Sequence, residues 1–263
     1  MEKHWTEKMF IDAAPFFSAD LELRIERARE EVKSILTIFK EFEVPSNGLI
    51  LDLCCGIGRH SVALAEEGYE VVGVDISPYF IDRAKEYSES RNVGHLCDFI
   101  VGDMRQIAEV LNSHGERFDA VINMYTSVGY YDEETDGKVL GQLHGLTSKG
   151  GILIVETAPR DAMIRRMKPY QVVDLGGELV LIEESRFNIN TSRMDSVWRY
   201  YRREGEDLRH NKTVETSHRL YSLHEFRKMS EEAGWKYGTS YGGFDLEPFT
   251  LEARSMIFVA QKP

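Results

Sequence analysis

A glycine-containing loop, Cys54-Cys55-Gly56-Ile57-Gly58, follows the apolar run Leu49–Leu53 and precedes a helical pattern. Glycines here let a backbone approach a ligand closely, and the first helical turn offers free N–H groups. A dinucleotide site requires G-x-G-x-x-G with pyrophosphate at the helix amino terminus, but Ser61 stands where the third glycine is needed. Asp52 precedes the loop, where its carboxylate would repel a pyrophosphate and attract a cationic ligand.

S-adenosylmethionine carries an ammonium and a sulfonium group, and it therefore suits a carboxylate at Asp52. Asp75 ends a second apolar run, where an acidic side chain can accept both hydroxyls of a ribose. Asp103 follows a third run, where a carboxylate can accept from an adenine amino group. Open α/β sheets bind ligands in the crevice outside the carboxyl ends of their strands. The three carboxylates therefore predict S-adenosylmethionine as the cofactor and make a nicotinamide oxidoreductase the least favoured class.

Alternating strand and helix patterns position these residues. Strands are predicted at Leu49–Leu53, Glu70–Val74, Phe99–Val101, Phe118–Asn123 and Gly151–Glu156. The helices between them are predicted at Gly58–Glu67, Pro78–Arg91, Arg105–His114 and Glu133–Leu146. Near-continuous apolar strands separated by helices indicate a parallel sheet that is covered on both faces.

The pattern changes on either side of this unit. Residues 1–20 are aromatic-rich and predicted to be irregular, and a helix is predicted from Leu21 to Phe42. Between Tyr170 and Leu220, three or four β-rich stretches with turn signals predict an inserted antiparallel sheet. A helix at Leu223–Ala233 and strands at Trp235–Tyr241 and Ser255–Ala260 are expected to complete the main sheet. The predicted divisions are a lid segment and helix (1–44), a cofactor-binding core (45–169), a substrate lid or platform (170–221) and the end of the core (222–263).

Several of these segments together resemble the successive motifs of class I S-adenosylmethionine-dependent methyltransferases. The resemblance rests on Asp52–Ser61, Asp75, Gly102-Asp103-Met104 and Phe118-Asp119-Ala120-Val121. It implies a Rossmann-like seven-stranded sheet, in the order 3-2-1-4-5-7-6 with an antiparallel last strand. It also implies that Asp52 and the loop hold the methionine end, Asp75 the ribose and Asp103 the adenine. The cofactor-binding residues implied in this way are Asp52, Cys54, Gly56, Gly58, Asp75, Ile76, Asp103, Met104, Asn123 and Met124.

The acceptor side is expected in the segment Asn123–Tyr131, which resembles that of small-molecule N-methyltransferases, including amino-sugar dimethyltransferases. By position, Tyr130 falls where a catalytic His or Tyr stands in those enzymes. The same likeness implies that Tyr125, Ser127 and Phe16 bind substrate, under an amino-terminal aromatic lid. Phe16 stands in that lid without the tyrosine of those relatives, and a phenylalanine cannot remove a proton. The identity of the general base is therefore left open.

Composition limits the partners. Asp and Glu number 44 against 32 Lys and Arg, which gives a net charge of −12 and disfavours a polyanionic partner. No apolar run is long enough to span a bilayer, no amino-terminal signal core is visible, and three cysteines suggest neither a disulfide framework nor a metal site. We therefore expect a cytoplasmic, metal-free methyltransferase acting on a small molecule, with the oligomeric state, monomer or homodimer, left open. The alternatives are an RNA (tRNA) methyltransferase and a non-catalytic S-adenosylmethionine-binding scaffold.

Four other residues have a functional and a structural interpretation. Cys54 and Cys55 lie before a helix amino terminus, which can lower a thiol pKa, or they are small residues that pack the loop. His60 and His144 are either bases or histidines with satisfied or solvent-facing rings. In each case the structural interpretation is favoured.

Overall fold

The computed structural model describes residues 2–112 and 118–263, which form an α/β fold with two sheets. The strands are β1 (Leu49–Leu53), β2 (Glu70–Asp75), β3 (Cys97–Val101), β4 (Phe118–Asn123), β5 (Thr147–Thr157), β6 (Tyr170–Asp174), β7 (Leu179–Asn188), β8 (Arg193–Glu204), β9 (Asp207–Arg219), β10 (Lys236–Tyr241) and β11 (Met256–Gln261). The helices are α1 (Trp5–Phe10), α2 (Ala14–Glu22), α3 (Ile25–Glu41), α4 (Arg59–Glu66), α5 (Pro78–Ser90), α6 (Ile107–Val110), α7 (Glu133–Leu146), α8 (Arg160–Arg166) and α9 (Leu223–Glu232).

The main sheet has seven strands in the order β10-β11-β5-β4-β1-β2-β3. Counted within this sheet alone, the order is 3-2-1-4-5-7-6, so the predicted topology is confirmed. Strands β1 to β5 pair in parallel, whereas β11 runs antiparallel to β5 and to β10. The carboxyl ends of β1, β2 and β4 therefore meet at one edge of the sheet.

Both faces of the main sheet are buried, as its near-continuous apolar strands predict. Ile50 and Ile122 belong to the core that α3, α4 and α5 cover on one face. Leu51 and Val121, their chain neighbours, belong to the core that α7 and α9 cover on the other. Because side chains alternate across a strand, each central strand contributes to both cores and is held firmly in register.

The inserted sheet has four antiparallel strands, ordered β6-β7-β8-β9. Its three turns fall where the sequence indicates them, with left-handed backbone at Gly176, Gly177, Ser192 and Gly205. Strand β8 alternates as its sequence predicts, with Tyr200 buried beneath the sheet. The expected small antiparallel sheet after the fifth core strand is therefore confirmed.

The amino-terminal prediction is wrong in one respect. The segment that was expected to be irregular contains α1 and α2, and the long helix begins at Ile25 instead of Leu21. Pro15 lies in the first turn of α2, a position that tolerates proline because its missing N–H would be unpaired there anyway. Phe10 and Phe17 then pack edge to face, 5.2 Å between ring centroids, which folds α1 back on α2.

Two further boundaries differ from the sequence patterns. Helix α8 was not predicted, because its seven residues follow Pro159 without an apolar period. The short helix expected at Arg105–His114 is a 3₁₀ turn at Met104–Gln106 followed by α6, and its expected end lies outside the described residues. Among the residues that the structure describes, no helix is long and apolar enough to cross a membrane.

Candidate functional site

A pocket lies at the carboxyl edge of the main sheet, where the loops after β1, β2, β3 and β4 meet under α1 and α2. Its walls are formed by Thr6, Phe10, Phe17, Leu21, Asp52, Cys54, Cys55, Gly56, Arg59, His60, Val74, Asp75, Ile76, Phe80, Gly102, Asp103, Met104, Met124, Tyr125, Ser127, Tyr130 and Tyr131. We call it the cofactor pocket. Phe10 and Phe17 belong to the cover, and the free space beneath them is about 50 Å³.

The loop between β1 and α4 turns sharply away from the sheet. Cys54 and Gly56 both have left-handed backbone, with φ of 61° and 56°. That conformation is readily available to glycine and costs energy at Cys54. Gly58 is left-handed as well, with φ of 75°, and a Cβ there would lie 3.0 Å from Cβ of Ala84 and 3.1 Å from the Phe99 ring.

Asp75 is tied to this loop through backbone donors. Gly56 N–H donates to Oδ2 of Asp75 and Ser77 N–H donates to Oδ1, both at 2.9 Å. Burial raises the pKa of the Asp75 carboxyl to about 6, against the effect of these two donors. Each oxygen keeps lone-pair capacity, so the carboxylate can accept two further hydrogen bonds from a diol.

Asp52 lies deeper in the pocket and is 2% exposed. The Ser61 hydroxyl donates to its Oδ2 at 2.6 Å. Burial raises the pKa of the Asp52 carboxyl, while His60, Ser61 and Arg59 act in the opposite direction. The pocket therefore has an acidic floor with a positive group beside it.

Asp103 and Met104 form the outer wall of the pocket. Asp103 accepts from the Arg105 backbone N–H at 2.9 Å and from its guanidinium, so part of the carboxylate is already occupied. Met104 is buried, and its sulfur lies 3.5 Å from Sγ of Cys54. A purine ring can pack on the apolar Met104 side chain and hydrogen-bond to the Asp103 carboxylate beside it.

The segment after β4 holds Tyr125 in an unusual conformation, with φ of 65°. Its hydroxyl donates to Oδ2 of Asp20 at 2.7 Å, and its N–H donates to Oε2 of Glu156 at 2.9 Å. The guanidinium groups of Arg24 and Arg59 each lie 5.0 Å from the centre of the Tyr125 ring. These contacts link α2 and α4 to the acceptor segment.

Arg59 is a residue that the sequence analysis missed. It is the first residue of α4, is 5% exposed and has its pKa lowered by burial. Arg24 pairs bidentately with Asp20, but within residues 2–112 and 118–263 no hydrogen bond or ion pair reaches the Arg59 guanidinium. The Arg59 guanidinium contacts the Tyr125 ring but has no hydrogen-bond acceptor among these residues, so Arg59 has capacity to bind an anionic group in the pocket.

A second, larger cavity of about 570 Å³ lies between α1, α2, the α8 region and the inserted sheet. We call it the acceptor cavity. Phe10, Phe17, Tyr125 and Tyr130 line both this cavity and the cofactor pocket. The two spaces are thus separated by one layer of aromatic side chains.

Tyr130 is at the centre of that layer. Its ring lies 5.0 Å from the ring of Trp5, 5.2 Å from that of Phe10 and 5.3 Å from that of His218. Burial holds the pKa of the Tyr130 phenol well above its usual value, against the effect of the nearby Ser127 hydroxyl. At neutral pH Tyr130 is therefore an uncharged hydrogen-bonding group and not a phenolate base.

Most of the predicted site residues come together around these two spaces. The residues that line the cofactor pocket are Asp52, Cys54, Gly56, Asp75, Ile76, Asp103, Met104, Met124, Tyr125, Ser127 and Tyr130. Gly58, Asn123 and Phe16 line neither space. Asn123 donates instead to the Leu53 carbonyl at 2.8 Å, and Phe16 packs on Tyr200 with ring centroids 5.2 Å apart.

The structural interpretation fits Cys54, Cys55 and His60, whereas Nε2 of His144 is buried without a hydrogen-bond partner among the described residues. Burial raises the pKa of the Cys54 and Cys55 thiols well above their usual value, so neither is a thiolate at neutral pH. His60 pairs with Oε2 of the buried Glu31 at 2.9 Å. His144 lies edge to face with Trp235, remote from both spaces.

Comparison with known proteins gives consistent results. Residues 50–151 match the family described as "Methyltransferase domain". YqeM of Bacillus subtilis, which carries a provisional methyltransferase name, is 26% identical over 84% of this chain and 87% of its own. A glycine/sarcosine N-methyltransferase of Parasynechococcus marenigrum is 33% identical over 52% of this chain, which spans 46% of that relative.

Solved structures share the fold at low identity. An S-adenosylmethionine-dependent methyltransferase from Clostridium acetobutylicum has a TM-score of 0.78 at 15% identity, with coverage of 93% of this chain and 97% of that one. CalS10 of Micromonospora echinaspora, an amino pentose methyltransferase with S-adenosylmethionine bound, has a TM-score of 0.65 at 18% identity, with coverage of 92% and 97%.

The sheet order is that of the class I S-adenosylmethionine-dependent methyltransferase fold, and residues 50–151 match a methyltransferase domain. The chain is therefore a methyltransferase enzyme with S-adenosylmethionine as its cofactor.

Proposed function

We propose that the chain transfers the methyl group of S-adenosylmethionine to the nitrogen of a small-molecule amine in the acceptor cavity. The observation that carries the proposal is the shared wall, in which Tyr125 and Tyr130 line both spaces. Methyl transfer requires a nucleophile aligned with the sulfonium methyl at close range, so the shared side chains would have to leave an opening through which the acceptor nitrogen reaches the methyl carbon.

Three carboxylates and one cation would hold the cofactor. Asp75 would accept hydrogen bonds from the ribose hydroxyls. The adenine would pack on Met104 and donate a hydrogen bond from its amino group to Asp103. Asp52 would lie nearest the ammonium and sulfonium groups, where a negative charge is favourable. Arg59 would pair with the cofactor carboxylate, a role supported by its burial and by its lack of a hydrogen-bond acceptor among the described residues.

The amino-terminal helices would act as the lid of this pocket. Phe10 and Phe17 cover it, and the free space of about 50 Å³ is far too small for the whole cofactor. Cofactor binding, as well as its release, would therefore need α1 and α2 to move outwards. Phe17, which lines both spaces, is a better lid residue than Phe16.

When bound, S-adenosylmethionine supplies an electrophilic methyl carbon on a positively charged sulfur. Tyr130, which lines the acceptor cavity, would orient the acceptor nitrogen, because its uncharged hydroxyl can accept a hydrogen bond from an amine N–H. An amine that arrives as the free base has its lone pair available, so no residue has to remove a proton before attack. The neutral Tyr130 phenol fits this orienting role better than that of a general base.

The size of the acceptor cavity favours an acceptor larger than glycine. A space of about 570 Å³ lies within the range that holds drug-sized ligands. Met9, Phe17 and Trp198 give it apolar walls, while Ser185 and Ser196 place hydroxyls on its sheet side, 2.7 Å apart. An amine on a ring with hydroxyl substituents, as in the amino pentose of CalS10, matches this lining better than glycine or sarcosine does.

Transfer from methyl-labelled S-adenosylmethionine tests the proposal. The purified protein is incubated with glycine, sarcosine, cyclic amines and amino sugars, and in parallel with the matching alcohols and with bulk tRNA. Label in an amine but not in its alcohol supports the proposal. Label only in tRNA favours the RNA alternative. Cofactor binding without label in any of these acceptors favours the scaffold alternative.

A further inference from the structure

Four consecutive backbone carbonyls in the acceptor segment are held by residues of the inserted sheet. His218 Nε2 lies 2.7 Å from the Val128 carbonyl, and Arg219 N–H donates to the Gly129 carbonyl at 2.8 Å. The Arg193 guanidinium donates to the Tyr131 carbonyl at 2.9 Å and approaches the Tyr130 carbonyl at 3.5 Å. The start of β8 and the end of β9 therefore hydrogen-bond to the backbone on both sides of the Tyr130 side chain.

The side chains of Arg193 and His218, which make these hydrogen bonds, are themselves fixed. Arg193 Nε also donates to the Ser217 hydroxyl at 2.8 Å, and Nη2 donates to the Ser217 carbonyl, so the planar guanidinium is held in place. His218 must carry its proton on Nε2, because a carbonyl can only accept a hydrogen bond. Burial lowers the pKa of His218 to about 4, so this donor stays uncharged and in one tautomer at neutral pH.

The acceptor segment Asn123–Tyr131, to which these carbonyls belong, needs external support. Tyr125, Thr126 and Gly129 have left-handed backbone, with φ of 65°, 62° and 96°. Left-handed conformations at non-glycine residues persist only where the surroundings impose them. Because Ser127, Tyr130 and Tyr131 of this segment line the cofactor pocket, any loss of that support would disturb the pocket as well.

We propose that Arg193 and His218 are positioning residues for methyl transfer, which hold the Val128–Tyr131 backbone so that Tyr130 stays between the two spaces. The inserted sheet is then part of the catalytic apparatus, in addition to forming the roof of the acceptor cavity. This inference rests on the proposed function only in assigning Tyr130 to the transfer step. The hydrogen bonds themselves do not depend on which acceptor is used.

Arg193→Gln and Arg199→Gln are compared in the full-length protein. Both arginines project from the same face of β8, but Arg199 pairs with Glu184 at 3.2 Å and lies away from the acceptor segment. Calorimetric titration with S-adenosylhomocysteine gives the cofactor-site affinity, and hydrogen exchange of the peptide spanning 124–132 gives the local stability of the segment. Arg193→Lys is the conservative variant, which keeps the charge and loses the fork.

Arg193→Gln should weaken S-adenosylhomocysteine binding by about tenfold and speed exchange in 124–132, since small misplacements of positioning groups have large effects. Exchange in β7 to β9 should change little, and Arg193→Lys should fall between the native protein and Arg193→Gln. With an amine that is turned over, kcat should fall about 10- to 100-fold with little change in the acceptor KM.

Equal affinity and equal exchange in Arg193→Gln and Arg199→Gln would overturn the proposal. Loss of exchange protection throughout the inserted sheet would also overturn it, because the arginine would then be structural and not specific to the segment. A protein that binds S-adenosylhomocysteine and shows the expected Arg193→Gln effects, yet methylates no amine, would disprove the proposed function and leave the positioning role supported.

Discussion

The Gly56 amide donates a 2.9 Å hydrogen bond to Oδ2 of Asp75, which joins the loop after β1 to the end of β2. Asp75 Oδ1 is held in the same way by the Ser77 amide. The carboxylate is therefore fixed in orientation before any ligand binds. Burial nevertheless opposes its ionisation, and this conflict makes ligand binding sensitive to pH.

S-adenosylhomocysteine should bind more weakly as the pH falls through about 6. Burial raises the pKa of Asp75 from 3.8 to about 6, so the group takes up a proton in the folded protein before it would in an unfolded chain. The ionised form accepts both ribose hydroxyls, whereas the protonated form cannot. Affinity should therefore be constant above about pH 7 and decrease up to tenfold per pH unit below 6. Calorimetric titrations from pH 5 to 8 measure this.

Asp136 complicates any measurement of stability, because burial raises its pKa to about 6 as well. Its carboxylate accepts from the Tyr221 hydroxyl at 2.7 Å and does not line the cofactor pocket. Binding is therefore the quantity to follow. Asp75→Asn should bind weakly at every pH, while Asp82→Asn on the exposed side of α5 should keep the native profile. An unchanged slope in Asp75→Asn would rule out Asp75 as the titrating group.

Much of the fold follows from local patterns in the sequence. Strand β4 and helix α7 have the predicted bounds, because an apolar run and an Asp132 N-cap mark their ends. The three carboxylates at strand ends also follow, since parallel strands align their carboxyl ends. The turns of the inserted sheet are equally local, because glycine and polar residues mark them.

What the sequence could not give is contact between distant segments. The partner of Tyr125 is Asp20 on α2, 105 positions away along the chain. Arg59 follows the glycine loop directly, but only the fold reveals that the residue is buried and lacks a hydrogen-bond acceptor for its guanidinium in the part of the chain that the structure describes. The hydrogen bond from Arg193 to the Tyr131 carbonyl likewise depends on how the inserted sheet docks on the acceptor segment. No periodicity in the sequence encodes that docking.

Arg59→Met should weaken S-adenosylhomocysteine binding by about tenfold or more while leaving 5′-methylthioadenosine binding unchanged. Methionine keeps the packing volume but removes the cation, and charge-assisted hydrogen bonds to a carboxylate contribute about 1.5–3 kcal/mol. 5′-Methylthioadenosine has the adenosine and the thioether but lacks the amino-acid portion. Calorimetry with the two ligands separates loss of the carboxylate contact from damage to the pocket.

The exposed Arg83 on α5 provides the matched control, since its salt bridges to Glu22 and Glu86 lie at the surface. Arg83→Met should bind both ligands as the native protein does. If Arg59→Met lost affinity for both ligands equally, the residue would be supporting the pocket and not contacting the cofactor carboxylate.

Tyr130→Phe should lower kcat/KM for an amine acceptor by about tenfold, roughly the contribution of one hydrogen bond in a buried site. The ring contacts with Trp5 and Phe10 are kept, so S-adenosylhomocysteine affinity should stay within about twofold of native. The high pKa of the phenol also predicts no titration of Tyr130 in the rate profile below pH 9. Steady-state kinetics from pH 6 to 9 check both expectations.

Tyr237→Phe is the control, because the Tyr237 hydroxyl donates to Ser240 Oγ at 3.2 Å and the residue lines neither the cofactor pocket nor the acceptor cavity. It should leave kcat/KM near the native value. A native rate in Tyr130→Phe would remove the hydroxyl from the transfer step and leave only the ring as part of the shared wall.

Gly129→Ala should destabilise the protein far more than Gly176→Ala. Both glycines have left-handed backbone, with φ of 96° and 82°, so both substitutions carry the same conformational cost of about 1 kcal/mol or more. A Cβ at Gly129 would lie 2.0 Å from the Arg219 carbonyl oxygen, whereas a Cβ at Gly176 meets nothing within 4 Å. The Gly129 clash involves backbone on both sides, so it can be relieved only by moving the end of β9 away from the acceptor segment. Urea unfolding of the two variants measures the difference, which we expect to reach about 2 kcal/mol. Equal midpoints would mean that the inserted sheet can shift freely at this contact, and the tight docking of β9 on the segment that carries Tyr130 would then be wrong.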